Sequence, residues 1–373
     1  MYHKIEIHCH TLFERIENMP TFQSIKNDTI KIYERLSDDL SKRIFECRML
    51  YSLTDNYKFI DDIIDSSPDL NAVKYNLKRI LESKDNIIAY GAGMKGMRFV
   101  KLCKSINIKI DSFCDADINK QKGVFLGYRV ISPTELKESD IDCYIVITPV
   151  NYQGIVDNLV EMGFRYEQIF ILSKYITDSI NTQYFDTSIL PPPRKDEIFI
   201  DAGCCDCATT NEFIKWSHNS YKKIIAFEPN PKQYDICHKL SRKIIDFTVY
   251  PYGLWNDSVD MGFIDDTTNS GGGKISLDSI NNSVRISTVK LDDIIDGDKA
   301  TFIKMDVEGS ELNALKGASH TIGKYRPKLA ISLYHKPEDV WEIPRFILSL
   351  NEEYKLYIRH YLHDEPETVL YAF

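Results

Sequence analysis

Apolar residues recur at helical spacing through "IKNDTIKIYERLSDDLSKRIFECRML", where charge is dense and glycine scarce. The pattern predicts helices over residues 1–82, a segment with no catalytic constellation, expected to be a docking or dimerising appendage and hence a route to a homo-oligomer. Near residue 86 the pattern changes. "NIIAYGAGMKGMRFVKLCKSINIKIDSFCDAD" reads as strand, glycine turn, helix, strand and acid. "CYIVITPVNYQGIVDNLVEMGF" adds a strand, a turn at Pro149, a helix and a stop at Gly163. Strands alternating with helices predict a parallel sheet covered on both faces, here a Rossmann-like domain over 83–175.

Residues 176–196 read as a linker, because Pro191, Pro192 and Pro193 suit neither a helix interior nor a central strand. From 197 to 373 apolar strands return. "IFIDAG", "KIIAFEP", "DFTVYPYG", "ATFIKMDVEG" and "KLAISLYH" mostly alternate with helices and are expected to be parallel. "YKLYIRHYL" and "ETVLYAF", separated by the turn-like "HDEPE", predict an antiparallel pair at the sheet edge. A glycine-rich loop with short strands, "NSGGGKISLDSINNSVRISTVKL", interrupts this series before the fourth strand.

Composition adds bounds. The chain has 373 residues, 43% of them hydrophobic and 27% charged, which suits a globular protein of two domains and an appendage. A net charge of −9 argues against a nucleic-acid partner. No apolar run approaches the roughly 18 residues of a membrane span. The first residues lack a signal-peptide layout, and nine cysteines without periodic spacing read as reduced thiols, so the expected location is cytoplasmic.

Two loops carry candidate chemistry. "GAGMKG", Gly91 to Gly96, follows a strand, opens a helix and is followed roughly 24 residues later by Asp115. Such a loop brings backbone N–H groups to a phosphate, so a nucleotide or nucleotide-sugar ligand is one reading and a structural turn the other. Hydride transfer would need a proton relay, and no Tyr-x-x-x-Lys pair stands in this half.

The second loop is "FIDAGCCDC". After it come a helix and the strand "KIIAFEPNP", which ends in Glu228 about 27 residues past Asp201. A carboxylate there can accept both ribose hydroxyls of a nucleoside. The three cysteines suggest metal or redox chemistry instead. No compact second pair of ligands completes a zinc site, since a strand and a turn separate the loop from Cys237 and His238. The redox reading of Cys204 and Cys207 lacks a thioredoxin-like context. The loop reading is therefore preferred, and no metal ligand is assigned.

The stretches "FIDAGCCDC", "AFEPNP", "VYPYGLW", "FIKMDVEGSELNALKGASHTI" and "KLAISLYHKPEDVWEIPRFI" give residues 182–373 a resemblance to the FkbM family of S-adenosylmethionine-dependent methyltransferases. The resemblance implies a seven-strand Rossmann-like sheet with the cofactor over the carboxyl ends of its first strands. It implies that Asp201, Gly203, Cys204, Cys205, Asp206 and Cys207 hold the amino-acid end of the cofactor. Glu228 would hold the ribose, Pro229 and Asn230 the adenosine side, and Tyr252 and Gly253 would lie near the adenine. The family usually has glycine where Cys207 stands. A positive φ there would strain a cysteine, reshape the loop, turn a thiol toward the cofactor and weaken binding.

Strand ends bring further polar groups to the expected crevice. They are Asp306, freed for the site if Ser310 caps the next helix, and His335, whose imidazole could accept a hydroxyl proton. Lys304, in phase with Asp306 on a buried strand, is expected to pair with a carboxylate or face the cleft. Asp306 and His335, with Glu308 or Glu311, also offer a set for Mg2+, although the spacing does not diagnose one. The expected activity is O-methyl transfer to a hydroxyl of a sugar, nucleotide-sugar or surface-glycan precursor. The competing readings are a degenerate binding or scaffold protein and a nucleotide-sugar oxidoreductase.

Overall fold

The computed structural model describes residues 22–138, 142–180, 183–264, 274–276, 284–295, 297–362 and 367–373. Two doubly wound sheets and a small third one organise them. The middle sheet is built from β1 (Ile87–Tyr90), β2 (Ser112–Cys114), β3 (Val124–Phe125), β4 (Tyr128–Ile131), β5 (Tyr144–Ile147) and β6 (Ile169–Ile171), in the order β3-β4-β2-β1-β5-β6. Only the β3–β4 pairing is antiparallel. Helix Leu172–Ile180 follows β6 directly and crosses the expected boundary at 175.

In this domain the glycine turn and its acid are joined. The Asp115 carboxylate accepts the Ala92 N–H at 2.8 Å and the Asp117 N–H at 2.9 Å, and lies 3.2 Å from Lys120 Nζ. A side chain at Gly96 would collide with the Gly91 carbonyl oxygen, so that glycine serves close packing of helix on turn.

The C-terminal sheet has seven strands in the order β16-β17-β15-β14-β7-β8-β9. Its members are β7 (Ile198–Ala202), β8 (Lys223–Phe227), β9 (Phe247–Tyr250), β14 (Phe302–Met305), β15 (Lys328–Ser332), β16 (Leu356–His360) and β17 (Thr368–Ala372). The first five are parallel to one another, and β16 and β17 form the antiparallel edge. The connection "HDEPE" lies largely outside the described residues.

"DFTVYPYG" is not one strand. Pro191 to Pro193 are not the only punctuation: Pro251 has no N–H to donate and ends β9, and the chain resumes as β10 (Tyr252–Leu254) in another sheet. There β10 pairs with β13 (Val284–Val289), followed by β11 (Asp260–Ile264) and β12 (Lys274–Ser276). The glycine-rich run 270–273 lies outside the described residues.

Helices between Phe22 and Ser66 pack on the C-terminal domain. Ile32, Leu36, Ile44, Phe45, Ile60 and Ile63 share one core with Ile303, Ile331, Ile343 and Leu356 of the C-terminal domain. Leu36 bridges Leu356, the Arg48 guanidinium donates to the Leu333 carbonyl at 3.0 Å, and Arg359 pairs with Asp38 at 2.7 Å. The buried apolar residues of helices Phe22–Arg35, Asp39–Thr54 and Lys58–Ser66 thus pack against the chain's own sheet and helix Asp339–Leu350.

Candidate active site

The loop after β7 lies between the carboxyl ends of β8 and β14. The Gly203 and Cys204 N–H groups both donate to the Phe227 carbonyl, at 3.0 and 3.2 Å. Gly203 has a φ of 74°, and a Cβ there would run into the Asp306 carbonyl oxygen. Only glycine meets both demands.

Glu228 faces this loop from the end of β8. Its carboxylate accepts the Cys205 N–H at 2.9 Å and the Asn230 N–H at 2.8 Å. Burial pushes its pKa up to about 7, against the opposing pull of those two N–H groups. Asn230 caps helix Pro231–Ser241 through the Lys232 N–H. Pro229 and Tyr252 are half-buried, Gly253 is buried and Asp206 is exposed, its carboxylate accepting the Ala208 N–H.

Asp201 and Lys304 lie under the loop and not in the crevice. Lys304 is 1% exposed and Asp201 fully buried, with Nζ 3.2 Å from Oδ1. The ammonium also donates to the Gly203 carbonyl at 2.8 Å, and the other Asp201 oxygen accepts the Thr210 hydroxyl at 2.7 Å. Burial disfavours the lysine charge, yet Asp201 and Asp306 outweigh it and hold the pKa above its ordinary value. Pairing is thus the arrangement found, and the catalytic assignment of Lys304 gives way to a positioning one because the ammonium reaches the loop's carbonyls from below.

The loop cysteines overturn two expectations. Cys207 takes φ 65° as the residue before helix Ala208–Trp216, the left-handed conformation that glycine would favour. Its side chain, however, is fully buried in an apolar cluster with Phe213 and Ala226. Helix Pro231–Ser241 folds back so that the Cys204, Cys207 and Cys237 sulfurs all lie within 4.8 Å of one another. Hydrogen bonds with the Cys204 and Cys237 thiols pull the Cys207 pKa below its ordinary value. The strand and turn that seemed to separate Cys237 from the loop are what return it there.

At the end of β14, Asp306 is ringed by donors. Its carboxylate accepts the Tyr184 hydroxyl at 2.9 Å and the Tyr334 hydroxyl at 3.1 Å. Burial would raise its pKa, but Lys304, His335 and the two phenols hold it below the ordinary carboxylate value. Ser332 Oγ lies 3.2 Å from the Tyr184 hydroxyl. Neither tyrosine was singled out in the sequence, and Tyr184 fell within the linker. The signal there was an aromatic pair in a polar stretch, and both Tyr184 and Phe185 are buried against the sheet.

His335 sits among three carboxylates. Nδ1 is 2.9 Å from Glu311, while Nε2 is 3.3 Å from Glu308 and 3.5 Å from Asp306. Burial opposes its charge, but the three acids raise its pKa to about 11. The charged form that these acids favour carries no free lone pair for a proton, which opposes the expected general-base role. Ser310 occupies the predicted cap position without a side-chain cap bond. Glu311 instead accepts the Val307 N–H at 2.8 Å.

The same arrangement does not fit Mg2+. Asp306, Glu311 and His335 each bring a ligand atom within 4.8 Å of the others, but one of the three is an imidazole, and this hard ion prefers an all-oxygen, partly hydrated octahedron. Adding magnesium or stripping it with EDTA should therefore leave turnover unchanged in a methyl-transfer assay. Among the described residues, no helix is long and apolar enough to cross a membrane.

One family model covers this region and another the middle domain. Residues 201–361 match the model of the methyltransferase FkbM domain, and residues 83–170 match a C2185-like amino-terminal domain. The chain is 29% identical over 146 residues to the hexuronic acid methyltransferase AglP of Haloferax volcanii, covering 36% of this chain and 55% of that protein. The chain thus spans about half the length of that curated relative. A crystal structure of a methyltransferase FkbM from Methylobacillus flagellatus KT is similar at a TM-score of 0.49 and 20% identity, over 86% of this chain and all (100%) of that one. Aeropyrum pernix fibrillarin with natively bound S-adenosyl-L-methionine is similar at a TM-score of 0.33 and 8% identity, over 49% and 69% of the two chains.

Proposed function

We propose, from the match of residues 201–361 to the methyltransferase FkbM domain, that the chain is an S-adenosylmethionine-dependent O-methyltransferase acting on a sugar hydroxyl of a glycan or its precursor. The observation that carries this reading is the neighbouring pair of features at the sheet's carboxyl edge. One is the Gly203 loop facing the buried Glu228 carboxylate, and the other is the half-buried, ionised Asp306 beside it. Ligands of open α/β sheets bind at this edge.

When bound, the donor supplies an electrophilic methyl on a sulfonium. Glu228 would hold the ribose diol with its carboxylate, the loop at Gly203 to Asp206 would let backbone approach the amino-acid end, and Pro229, Asn230, Tyr252 and Gly253 would lie on the side of the base. Asp306 accepts the hydrogen bond of the acceptor hydroxyl, orients its lone pair and receives the proton. Tyr184 and Tyr334 fix the carboxylate's plane. The His335 cation keeps Glu308, Glu311 and Asp306 close together despite their like charge. The sugar class rests on the hexuronic acid methyltransferase relative.

Calorimetry with S-adenosylmethionine tests the reading. Glu228→Ala should weaken donor binding roughly 10- to 100-fold, the worth of a charge-assisted hydrogen bond or two. In the wild type, affinity should rise as pH increases through about 7, because an ionised Glu228 offers both oxygens as acceptors. Glu228→Gln should flatten that dependence. The left-handed Cys207 favours one rival, a scaffold that has lost the donor. Absence of heat and of a thermal shift with the wild type would establish it.

A further inference from the structure

We propose that Cys204, Cys207 and Cys237 form a trigonal site for a thiophilic monovalent cation, copper(I), beneath the loop that faces Glu228. The three thiols come from two separate elements, the loop after β7 and helix Pro231–Ser241, and converge in the apolar layer that contains Phe213 and Ala226. They are 2%, 0% and 0% exposed.

Geometry selects the ion. Three sulfurs about 2.3 Å from a central metal, in a plane, would lie about 4.0 Å from one another. Here the Cys204 and Cys237 sulfurs are 3.6 Å apart, and no pair in the triangle exceeds 4.8 Å. Each sulfur–sulfur distance therefore needs to change by less than about 1 Å to close on a metal, whereas a disulfide at about 2.05 Å would need more. Soft thiolates favour copper(I), zinc and iron–sulfur clusters. Structural zinc asks for a fourth ligand, and among the described residues no further His, Cys, Asp or Glu joins this group. Burial also keeps water from serving as one. Cys237 Sγ lies 3.0 Å from the Cys205 carbonyl oxygen, so the cluster is tied to the backbone whose N–H meets Glu228.

Metal binding here is tested apart from methyl transfer, with the metal alone as the probe. Reduced full-length protein would be titrated without oxygen against the copper(I) complex of bathocuproine disulfonate, following loss of the chelate's colour. X-ray absorption would then count the sulfurs. The expected result is one copper per chain in a three-sulfur shell. Cys237→Ser and Cys207→Gly should each weaken retention by roughly a hundredfold or more. Cys143→Ser, at a buried thiol of the middle domain outside the cluster, should leave it unchanged. Cys207→Gly guards against misfolding, since glycine accepts the φ of 65° at that position. Thermal melting of the metal-free variants verifies the fold. Copper retention equal in wild type and Cys207→Gly would overturn the site. So would a two-sulfur shell, a four-ligand zinc complex of equal affinity, or a Cys204–Cys237 disulfide that forms in place of metal binding.

Discussion

Asp306→Asn should lower kcat by roughly 10²- to 10⁴-fold, the range for loss of a positioned proton acceptor. The amide is nearly isosteric and can still accept from one of the two phenols, so donor affinity in calorimetry should change little. The split between kcat and donor binding separates this from Glu228→Ala, whose effect falls on the donor. The pH profile supplies the sharper test. With donor saturating, kcat should be level across neutral pH, because Asp306 is held below the ordinary carboxylate range and His335 titrates only near 11. Below saturation, an inflection near 7 should reappear through Glu228. A base of the imidazole type would instead give activity climbing with deprotonation of His335, and Asp306→Asn with unimpaired kcat would remove Asp306 from the reaction.

What could be read in the chain follows from the range of each interaction. The strand, glycine turn and terminal acid that form the crevice lie within about thirty residues, and local pattern places them. Asp306 and His335 end strands, so their edge was visible too. Their charge states were not. The raised pKa of His335 needs Glu308 and Glu311 to come around from the turn after β14. Tyr184 reaches Asp306 across 122 residues, and its polar surroundings resemble any connector. Cys237 lies 32 residues beyond Cys205, one helical return away, and only the packing of Pro231–Ser241 on the sheet brings it to the loop. Likewise, the charged helices at the start resemble a free amphipathic layer until Leu356 and Ile331 are found against them.

Lys304→Met should destabilise the C-terminal domain by about 3–5 kcal/mol, because it strands the Asp201 carboxylate in a fully buried position. For a domain of this size that corresponds to a fall in Tm of about 10 °C. All three tryptophans, Trp216, Trp255 and Trp341, lie in this domain, so intrinsic fluorescence during heat or urea unfolding reports on it selectively. Asp201→Asn should cost a similar amount by leaving the lysine charge without its partner. The double replacement, Asp201→Asn with Lys304→Met, should recover much of the loss, since neither charge then needs solvation. The coupling free energy from the four proteins measures the pair directly. Function should not recover in step with stability. The Lys304 ammonium also donates to the Gly203 carbonyl and helps to keep Asp306 ionised, and methionine does neither. The double variant should therefore melt near the wild type while its Asp306 titrates at a higher pH and its loop binds donor more weakly. Singles that lose under about 1 kcal/mol, as an exposed pair would, are incompatible with the buried pair as the brace of this loop.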